Sequence, residues 1–574
     1  MRSRDTVLET ARHAGEVDVL IVGGGINGIG VYRDLAAQGV AALLVERSDF
    51  CSGTSAAPSR LIHGGLRYLE TGEFALVRES VEERNRLLRN APHLVQPMPV
   101  WIPLQSWWAG LLRAPARLLR LTTEPGPKGA LMIKLGLVFY DWFGRDLRAA
   151  PAHRLVPRDV LRAAMPSLAA PIKLAAEYYD ARLVHPERLA LELIDDAERD
   201  CAAAIALPYV GLAGHENGTV LLEDMTRGGR IRVRPRVVVN VSGAWGDQVN
   251  RRLGVDTNLI GGTRGSHVVL RHAALAGELG GRMIYFETPD HRVCLAYSLG
   301  DERVLLGTTD IRSDDPDDTL CSDAEIEYLF EMLHGVMPGM RVGREHIVFH
   351  FAGVRPLPRA STANPGAISR DHTLHAFDAE AHRPFVLFSL VGGKWTTYRA
   401  CAAQIADAVL ARLDRPRRTD TGALPIGGGR EWPETEEQCR AAVDALETRF
   451  ELSHEYAQTL WERYGTASSS VARTIAATSA APLDGLPTHT EGEIAHIARH
   501  ERVTHLSDVV LRRTLIAFEG RCSERALRAL SNVLGVELGW DGARCEQEAA
   551  DAAALLSHRH GAKVALRPRE PASQ

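Results

Sequence analysis

A glycine run near the start of the chain has the spacing of a dinucleotide-binding turn. The apolar residues 19–22 are followed by Gly23-Gly24-Gly25-Ile26-Asn27-Gly28 and then by a helical stretch that ends before Gly39. Gly23 permits a tight turn, Gly25 lets the backbone approach a pyrophosphate, and Gly28 allows close packing of helix and strand. Glu46 ends a second apolar run, where an acid can bind a ribose 2′-hydroxyl. The pattern predicts a strand, turn, helix and strand unit that binds a dinucleotide.

The segment after Glu46 favours flavin over nicotinamide. Residues 47–63 show no periodicity and include the Ser- and Thr-containing stretch 54–60, which predicts a polar loop beside the cofactor. An NAD-binding domain would instead continue into a further strand and helix. The glycine fingerprint alone leaves FAD and NAD open.

Three side chains with acid, base or anion-binding chemistry follow that loop. His63-Gly64-Gly65-Leu66-Arg67-Tyr68 places an imidazole, a guanidinium and a phenol within six positions. His63 is a candidate general base because the unperturbed pKa of histidine is near neutral. A structural hydrogen-bonding role for His63 and a core position for Tyr68 are the alternatives, and a covalent nucleophile is not indicated.

Two arginines are candidates for binding an anionic substrate. Arg355 follows the apolar residues 347–354 and precedes Pro356, which predicts a strand that ends at a cleft. Arg370 lies in a turn-like stretch, where Asp371 is its alternative partner. Two guanidinium groups that converge on one pocket could hold a phosphate through paired hydrogen bonds.

Lys394 is a further cationic candidate. It follows Gly392 and Gly393, and residues 395–413 have helical spacing. A helix that begins there would direct its positive end and Lys394 toward negative charge on a reduced flavin. An exposed lysine at a helix cap is the alternative.

Composition limits the class of protein. The 574 residues are 45% hydrophobic and 24% charged, as in globular proteins of several domains. A net charge of -5 argues against nucleic-acid binding. Eight cysteines without a C-x-x-C pair predict neither a disulfide framework nor a metal site. Residues 1–16 do not resemble a secretory signal, and the uncharged stretch 90–112 contains four prolines, so a cytoplasmic location without a membrane span is expected.

Several motifs together resemble the FAD-dependent glycerol-3-phosphate dehydrogenases. Their order also fits, and they extend over nearly the whole chain: Thr54-Ser55, Leu61-Ile62-His63-Gly64-Gly65-Leu66-Arg67-Tyr68-Leu69-Glu70, Gly307-Thr308-Thr309-Asp310, Gly353-Val354-Arg355-Pro356-Leu357, Ser369-Arg370-Asp371, Gly392-Gly393-Lys394-Trp395-Thr396-Thr397-Tyr398-Arg399, Thr490-Glu491-Gly492-Glu493-Ile494 and Glu537-Leu538-Gly539-Trp540-Asp541.

The resemblance implies a reaction and a set of site residues. The reaction would be oxidation of sn-glycerol 3-phosphate to dihydroxyacetone phosphate by hydride transfer from C2 to flavin N5, with electrons passed to a quinone. The residues expected to act in catalysis are His63, Arg67, Tyr68, Arg355, Arg370 and Lys394. Those expected to bind substrate are Arg67, Tyr68, Thr309, Arg355 and Arg370. Those expected to bind FAD are Gly23, Gly25, Asn27, Gly28, Glu46, Thr54, Ser55, Arg60, His63, Gly64, Gly243, Gly393, Lys394 and Thr396.

The expected fold is an α/β FAD-binding Rossmann-like domain interleaved with an antiparallel-sheet substrate domain, plus a C-terminal all-α domain. The FAD-binding domain would comprise residues 17–93, 184–256 and 352–424, the substrate domain 94–183 and 257–351, and the helical domain 431–560. Residues 425–430 resemble a linker. Residues 101–148 hold four tryptophans among basic residues, which indicates either a membrane-surface segment on the inner face of the cell membrane or an aromatic flap over the core.

Some positions depart from the pattern of the family. Ala56 and Pro58 stand where small hydroxyl residues are usual, Arg60 and Arg264 where lysine is common, and Ala244 where proline is common. These changes leave room for weaker cofactor binding or for another phosphorylated or carboxylated hydroxy or amino substrate. A flavin-binding scaffold without turnover is a further alternative. The acceptor (ubiquinone, menaquinone or oxygen), the identity of the base and the formation of a homo-oligomer stay open.

Overall fold

The computed structural model describes residues 1–69, 72–109, 129–145, 150–288, 292–360, 368 and 371–566. Its helices are α1 Arg4–His13, α2 Ile26–Ala37, α3 Phe74–Asn90, α4 Ala130–Phe143, α5 Arg158–Ala164, α6 Pro186–Asp200, α7 Gly246–Arg252, α8 Ala273–Leu279, α9 Asp323–Val336, α10 Tyr398–Arg412, α11 Glu436–Phe450, α12 His454–Tyr464, α13 Ser468–Ala477, α14 Glu491–His500, α15 Leu506–Asp508, α16 Glu524–Leu538 and α17 Gly542–His560. Its strands are β1 Glu16–Val22, β2 Ala42–Val45, β3 Leu61–Ile62, β4 Val95–Leu104, β5 Arg154–Val156, β6 Leu174–Leu183, β7 Ile205–Leu207, β8 Val210–Glu216, β9 Thr219–Asp224, β10 Arg230–Asn240, β11 Ile260–Arg271, β12 Met283–Glu287, β13 Val293–Gly300, β14 Arg303–Gly307, β15 Ile311–Arg312, β16 Ile347–Pro358, β17 Thr373–Phe377, β18 Val386–Val391, β19 Pro482–Leu483 and β20 Leu486–Thr490.

A mainly parallel sheet lies behind the glycine run. Its order is β17, β18, β10, β1, β2, β7, with β17 antiparallel at the edge and β8 and β9 extending from β10. The four residues of β2 are all buried, as expected for a parallel strand covered on both faces. Helix α2 packs between α6 and α10 on this sheet. The strand, turn, helix and strand unit expected at the start of the chain is confirmed.

The second sheet is mostly antiparallel. Its order is β15, β11, β14, β13, β12, β4, β6, β3, while β16 pairs along β11 and β5 pairs with β6. Strand β16 contains the predicted apolar run and continues past Arg355 to Pro358. Strand β3 lies in the chain range expected for the FAD-binding domain, yet it pairs with β6 in this second sheet.

The C-terminal residues form mainly helices, as predicted. They also contain the short β19–β20 pair and a π-helical turn, Val509–Arg513, which helical spacing did not predict. Apolar residues of this region, among them Ile516 and Phe518, share one hydrophobic core with Phe349 and Phe351 of β16. The C-terminal domain is therefore packed directly on the antiparallel sheet.

The expected linker at 425–430 is a packed junction. A Cβ atom on Gly428 would lie 2.0 Å from the Tyr464 carbonyl oxygen, and one on Gly429 would lie 2.3 Å from that of Asn90. The glycines allow three chain segments to meet closely, so their role here is packing. In the described ranges, every helix is too short or too polar to cross a membrane.

Candidate active site

The glycine run forms a tight cradle at the end of β1. Gly23 has a φ of +116°, and a Cβ there would lie 2.7 Å from the Val241 carbonyl oxygen. A Cβ on Gly28 would lie 1.9 Å from the carbonyl oxygen of Gly23. These contacts exclude side chains and bring the N-terminus of α2 against the strand ends. Such a helix end, where backbone N–H groups lack partners within the helix, favours an anionic ligand.

Glu46 lies at the end of β2 and faces the cradle. Its carboxylate accepts a hydrogen bond from the backbone of Gly24 over 2.7 Å and from that of Ser48 over 3.0 Å. Burial raises the pKa of Glu46, and these two bonds act against that rise. The acid is thus fixed beside the cradle, and its contact with a ribose stays a prediction.

The polar loop after Glu46 crosses the open side of the cradle. The hydroxyl of Ser55 accepts from the backbone N–H of Ile26 over 3.0 Å, so it reaches the N-terminus of α2. The hydroxyl of Thr54 donates to the carbonyl of Val354 over 2.6 Å. The Gly353 position has no room for a side chain, because a Cβ there would lie 2.7 Å from that of Ala57. The loop therefore connects the glycine cradle to strand β16.

A cavity of about 840 Å³ extends along this loop. Its walls come from the cradle, from Glu46, Gly243 and Lys394, and from the C-terminal domain. At one edge the guanidinium of Arg47 lies 4.4 Å from the centroid of the Trp245 ring. Both side chains donate to Asp317, over 3.0 and 3.1 Å. The cavity is long and bounded by both sheets.

His63 and Gly64 follow strand β3 of the antiparallel sheet and lie beside the segment of Thr396. The backbone N–H of His63 donates to the Thr396 hydroxyl over 3.2 Å. The N–H of Gly64 lies 3.0 Å from both the Tyr140 hydroxyl and the Asp180 carboxylate. A Cβ on Gly64 would lie 2.3 Å from that hydroxyl. The buried Tyr140 and Asp180 therefore hold the His63 segment in place.

Lys394 and Tyr68 are brought together in this region. The Lys394 ammonium lies 4.9 Å from the centroid of the Tyr68 ring, which itself lies 6.5 Å from the His63 ring. Gly393 has a φ of +102°, and a Cβ there would lie 2.3 Å from Nδ2 of Asn27. The loop of Lys394 thus packs on the glycine cradle. Helix α10 begins at Tyr398, later than predicted, because the positive-φ glycines and the residues after them form a loop.

Arg355 lies near the end of β16, and neighbouring polar groups bind its guanidinium. It donates to Thr308 Oγ1 over 3.1 Å and to Asp310 Oδ1 over 3.1 Å. The carbonyl of Thr309 accepts over 3.4 Å. The next residue, Pro356, accepts a backbone hydrogen bond from Gly392 over 2.9 Å. The chain segments of Arg355 and Lys394 are therefore in direct contact.

Two of the predicted site residues, Thr309 and Arg60, form hydrogen bonds with other groups of the protein. The Thr309 hydroxyl donates to Glu325 over 2.7 Å and accepts from Ser266 N over 2.9 Å, so its carbonyl is the part nearest Arg355. Arg60 is buried, lies 3.6 Å from the Phe518 ring centroid and donates to the Val184 carbonyl. Roles for Thr309 in substrate binding and for Arg60 in cofactor binding stay predictions. Arg370 and the side chain of Arg67 lie outside the described residues.

His267 supports the site and was not predicted to do so. Its Nε2 lies 2.7 Å from the Ser59 hydroxyl, and its ring stacks on Phe351. Burial, with a contribution from nearby Arg355, lowers the pKa of His267 to about 3. Gly307 leaves room for the ring, since a Cβ there would lie 2.1 Å from it. The Gly-Ser-His sequence in β11 was the available signal, although histidine alone does not indicate such packing.

The site fits a bound FAD. The cradle, the helix N-terminus and Ser55 suit a pyrophosphate, and Asn27 Oδ1 is buried beside the cradle without a hydrogen-bond partner. The cavity continues past them to Gly393 and Lys394. The fold and site define a dinucleotide-binding protein whose cofactor would lie next to a cationic pocket.

Comparison with known proteins identifies the family. A model of FAD dependent oxidoreductases matches residues 18–407, and one for the C-terminal domain of alpha-glycerophosphate oxidase matches residues 419–545. A Synechocystis glycerol-3-phosphate dehydrogenase is 33% identical, with 92% of this chain and 94% of that protein covered. A Brucella abortus D-erythritol 1-phosphate dehydrogenase is 28% identical, with 87% and 94% covered. The crystal structure of a Bacillus halodurans glycerol-3-phosphate dehydrogenase with FAD has a TM-score of 0.73 at 20% identity, with 96% and 97% covered. The chain belongs to the FAD-dependent oxidoreductases, and its cofactor is FAD.

Proposed function

We propose that the protein oxidises sn-glycerol 3-phosphate to dihydroxyacetone phosphate and passes the electrons to a membrane quinone. The observation that carries this proposal is the contact between the segments of Arg355 and Lys394 beside the glycine cradle, through the Gly392 to Pro356 hydrogen bond of 2.9 Å. Two cationic side chains near one cofactor suit a phosphorylated substrate better than a neutral one. The Synechocystis relative named for this substrate supports the assignment.

Bound FAD supplies the hydride acceptor for oxidation of C2. The residues of the chain bind and orient the substrate. Arg355 and Arg370 hold the phosphate through charge-assisted hydrogen bonds from their guanidinium groups. Lys394 adds positive charge, while Arg67, Tyr68 and Thr309 complete the substrate pocket. Binding of the phosphate by these cations fixes C2 in one orientation for hydride transfer.

The hydroxyl proton of C2 requires a base. His63 fulfils this role, or a water held by it does, because an imidazole accepts a proton near neutral pH. Its backbone is fixed by Thr396, and the next residue is fixed by Tyr140 and Asp180. These hydrogen bonds hold the backbone that carries the proposed base.

Anaerobic titration of the holoprotein tests the substrate. Addition of sn-glycerol 3-phosphate should bleach the flavin absorbance, whereas glycerol and a 2-hydroxy acid at equal concentration should not. A flavin that stays oxidised with sn-glycerol 3-phosphate contradicts the proposal, and bleaching by the 2-hydroxy acid favours a carboxylate substrate.

A longer phosphorylated polyol is the second candidate substrate. It is favoured by the similarity to the Brucella D-erythritol 1-phosphate dehydrogenase over 87% of this chain. Steady-state turnover of each substrate with a soluble quinone as acceptor separates the two, because the substrate with the larger kcat/KM is the one that the pocket fits in the transition state.

An exposed apolar surface supports peripheral attachment to a membrane. The part of α4 that faces outward, together with two tryptophans after β4, exposes Trp107, Trp108, Leu131, Leu135, Val138, Phe139 and Trp142. Trp108 is 70% exposed, which is costly in water for so large an apolar ring. Tryptophans on an amphipathic surface are typical of contact with the lipid interface. Such contact brings the enzyme to a lipid-soluble quinone.

A further inference from the structure

A buried carboxylate joins the cofactor loop to the C-terminal domain. Asp49 lies three positions after Glu46 and is 1% exposed. Arg513 donates to both of its oxygens, over 2.6 and 2.8 Å, and Nε of Arg512 donates to one of them. Two arginines that are adjacent in sequence therefore hold one carboxylate from a distant part of the chain.

The C-terminal side of this contact is itself fixed. Arg512 also donates to Asp508 over 2.8 Å, and Asp508 accepts from the Tyr209 hydroxyl over 2.6 Å. The carbonyls of Arg512 and Arg513 accept hydrogen bonds from His185, which precedes α6, and from Arg188 in the first turn of α6. All these groups are buried or partly buried, and the carboxylates of Asp49 and Asp508 balance the charges of Arg512 and Arg513. The contact is specific in geometry as well as in charge.

The two arginines are the last residues of the turn Val509–Arg513. This turn has the wider π-helical form and ends at Arg513. Turns of this type are uncommon and occur frequently at functional positions. From this turn both side chains reach Asp49.

The loop of Asp49 is also bound to the cradle. The backbone N–H of Cys51 donates to the Gly24 carbonyl over 2.9 Å, and that of Ser48 donates to the Glu46 carboxylate. Arg512 and Phe518 of the C-terminal domain contribute to the wall of the same cavity. Movement of Asp49 would therefore move Glu46 and the glycine cradle.

We propose that the C-terminal domain is part of the FAD site: Arg512 and Arg513 are positioning residues that hold Asp49, so docking of this domain and binding of FAD are thermodynamically coupled. FAD binding should stabilise the docked domain, and the docked domain should slow the release of FAD, because coupling is reciprocal.

The charge state of Asp49 is consistent with this role. Burial alone would raise its pKa, but Arg513 and Arg512 lower the pKa below the usual value. The carboxylate therefore stays ionised at neutral pH and needs both cations. A buried charge that loses its partner is strongly destabilising.

A matched pair of variants tests the coupling. Asp49→Asn removes the charge of the cofactor loop and preserves its shape. Glu493→Gln is the control, because Glu493 is equally buried and is held by Arg463 and Tyr464 wholly within the C-terminal domain. Release of FAD is followed by its fluorescence, and the thermal midpoint is measured with and without FAD.

Asp49→Asn should release FAD about tenfold faster or more, since a charge-assisted hydrogen-bond pair is lost. Asp49→Asn should also reduce the rise in thermal midpoint that FAD causes. Glu493→Gln should lower the thermal midpoints with and without FAD by the same amount and leave the rate of FAD release unchanged. Equal release rates for Asp49→Asn and wild type would overturn the proposal, as would equal acceleration by the control.

Hydrogen exchange on the wild-type protein is decisive if Asp49→Asn does not fold. Saturation of the apoprotein with FAD should slow amide exchange in residues 506–513 more than in Glu491–His500, which also lies in the C-terminal domain. An equal effect on both segments would overturn the coupling.

Discussion

A Cβ atom on Gly265 would lie 2.1 Å from Nη2 of Arg355. Gly265→Ala should therefore displace the guanidinium, which can move, and leave the fold intact. Because Arg355 is proposed to hold the phosphate, we expect the KM for sn-glycerol 3-phosphate to rise about tenfold or more through loss of a charge-assisted bond. Steady-state kinetics measure this, and Gly277→Ala in α8, where a Cβ meets nothing within 4 Å, is the control. An unchanged KM in Gly265→Ala would exclude Arg355 from phosphate binding.

Gly28 packs too closely on the cradle for any side chain. A Cβ there would lie 1.9 Å from the Gly23 carbonyl oxygen, which is backbone and cannot move aside cheaply. Gly28→Ala should be purified with at least about tenfold less bound FAD, because the helix end that binds the pyrophosphate is shifted. The ratio of flavin to protein absorbance measures this. Gly335→Ala in α9 has open space at its Cβ and should keep full flavin content.

The buried histidines predict loss of stability in mild acid. Burial lowers the pKa of His267 to about 3, whereas the unfolded chain protonates histidine near pH 6.5. The unfolded state therefore binds more protons between these values, and stability falls as pH decreases below about 6.5, by roughly 1.4 kcal/mol per pH unit for this group. His489 and His560 are shifted in the same direction.

The thermal midpoint between pH 7.5 and pH 5 measures this dependence. His267→Gln retains a hydrogen-bonding group for Ser59 but does not titrate, so its midpoint should fall less steeply with pH than that of the wild type. Equal slopes for the two proteins would show that the pKa of His267 is the same in the folded and the unfolded state.

The exposed tryptophans predict binding to lipid vesicles. Replacement of Trp107, Trp108 and Trp142 by serine should weaken co-sedimentation with anionic vesicles about tenfold or more, because three interfacial rings are lost. Val536→Ser is the matched control, since Val536 is 84% exposed on the C-terminal domain. Unchanged vesicle binding of the triple variant, with flavin content intact, would contradict attachment through this surface.

Local patterns in the sequence account for much of the fold and for part of the site. The glycine fingerprint, the apolar runs of β1 and β2 and the run that ends at Arg355 depend on neighbouring residues, so periodicity and turn chemistry are sufficient to find them. The partners of Gly64 could not be predicted in this way. Tyr140 and Asp180 are separated from it by 76 and 116 positions, and only the tertiary fold brings them together.

The packed junction at Gly428 and the contact of Asp49 with Arg513 could not be predicted from the sequence for the same reason. A glycine run has the composition of a flexible linker, whether it is exposed or packed against Tyr464. The two arginines lie in a stretch with ordinary helical composition, and their partner is 463 and 464 positions away. Ion pairs between residues so far apart in the sequence can be identified only in the folded structure.

The order of the strands has a consequence for biosynthesis. In the mainly parallel sheet, strand β10 lies between β1, from the start of the chain, and β18, which ends at Val391. The cavity wall also needs Arg512 and Phe518. A ribosome that translates the chain from its start will therefore have released most of the protein before the site can close, and pairings between such distant segments form slowly. Nascent chains should therefore acquire flavin only near the end of translation.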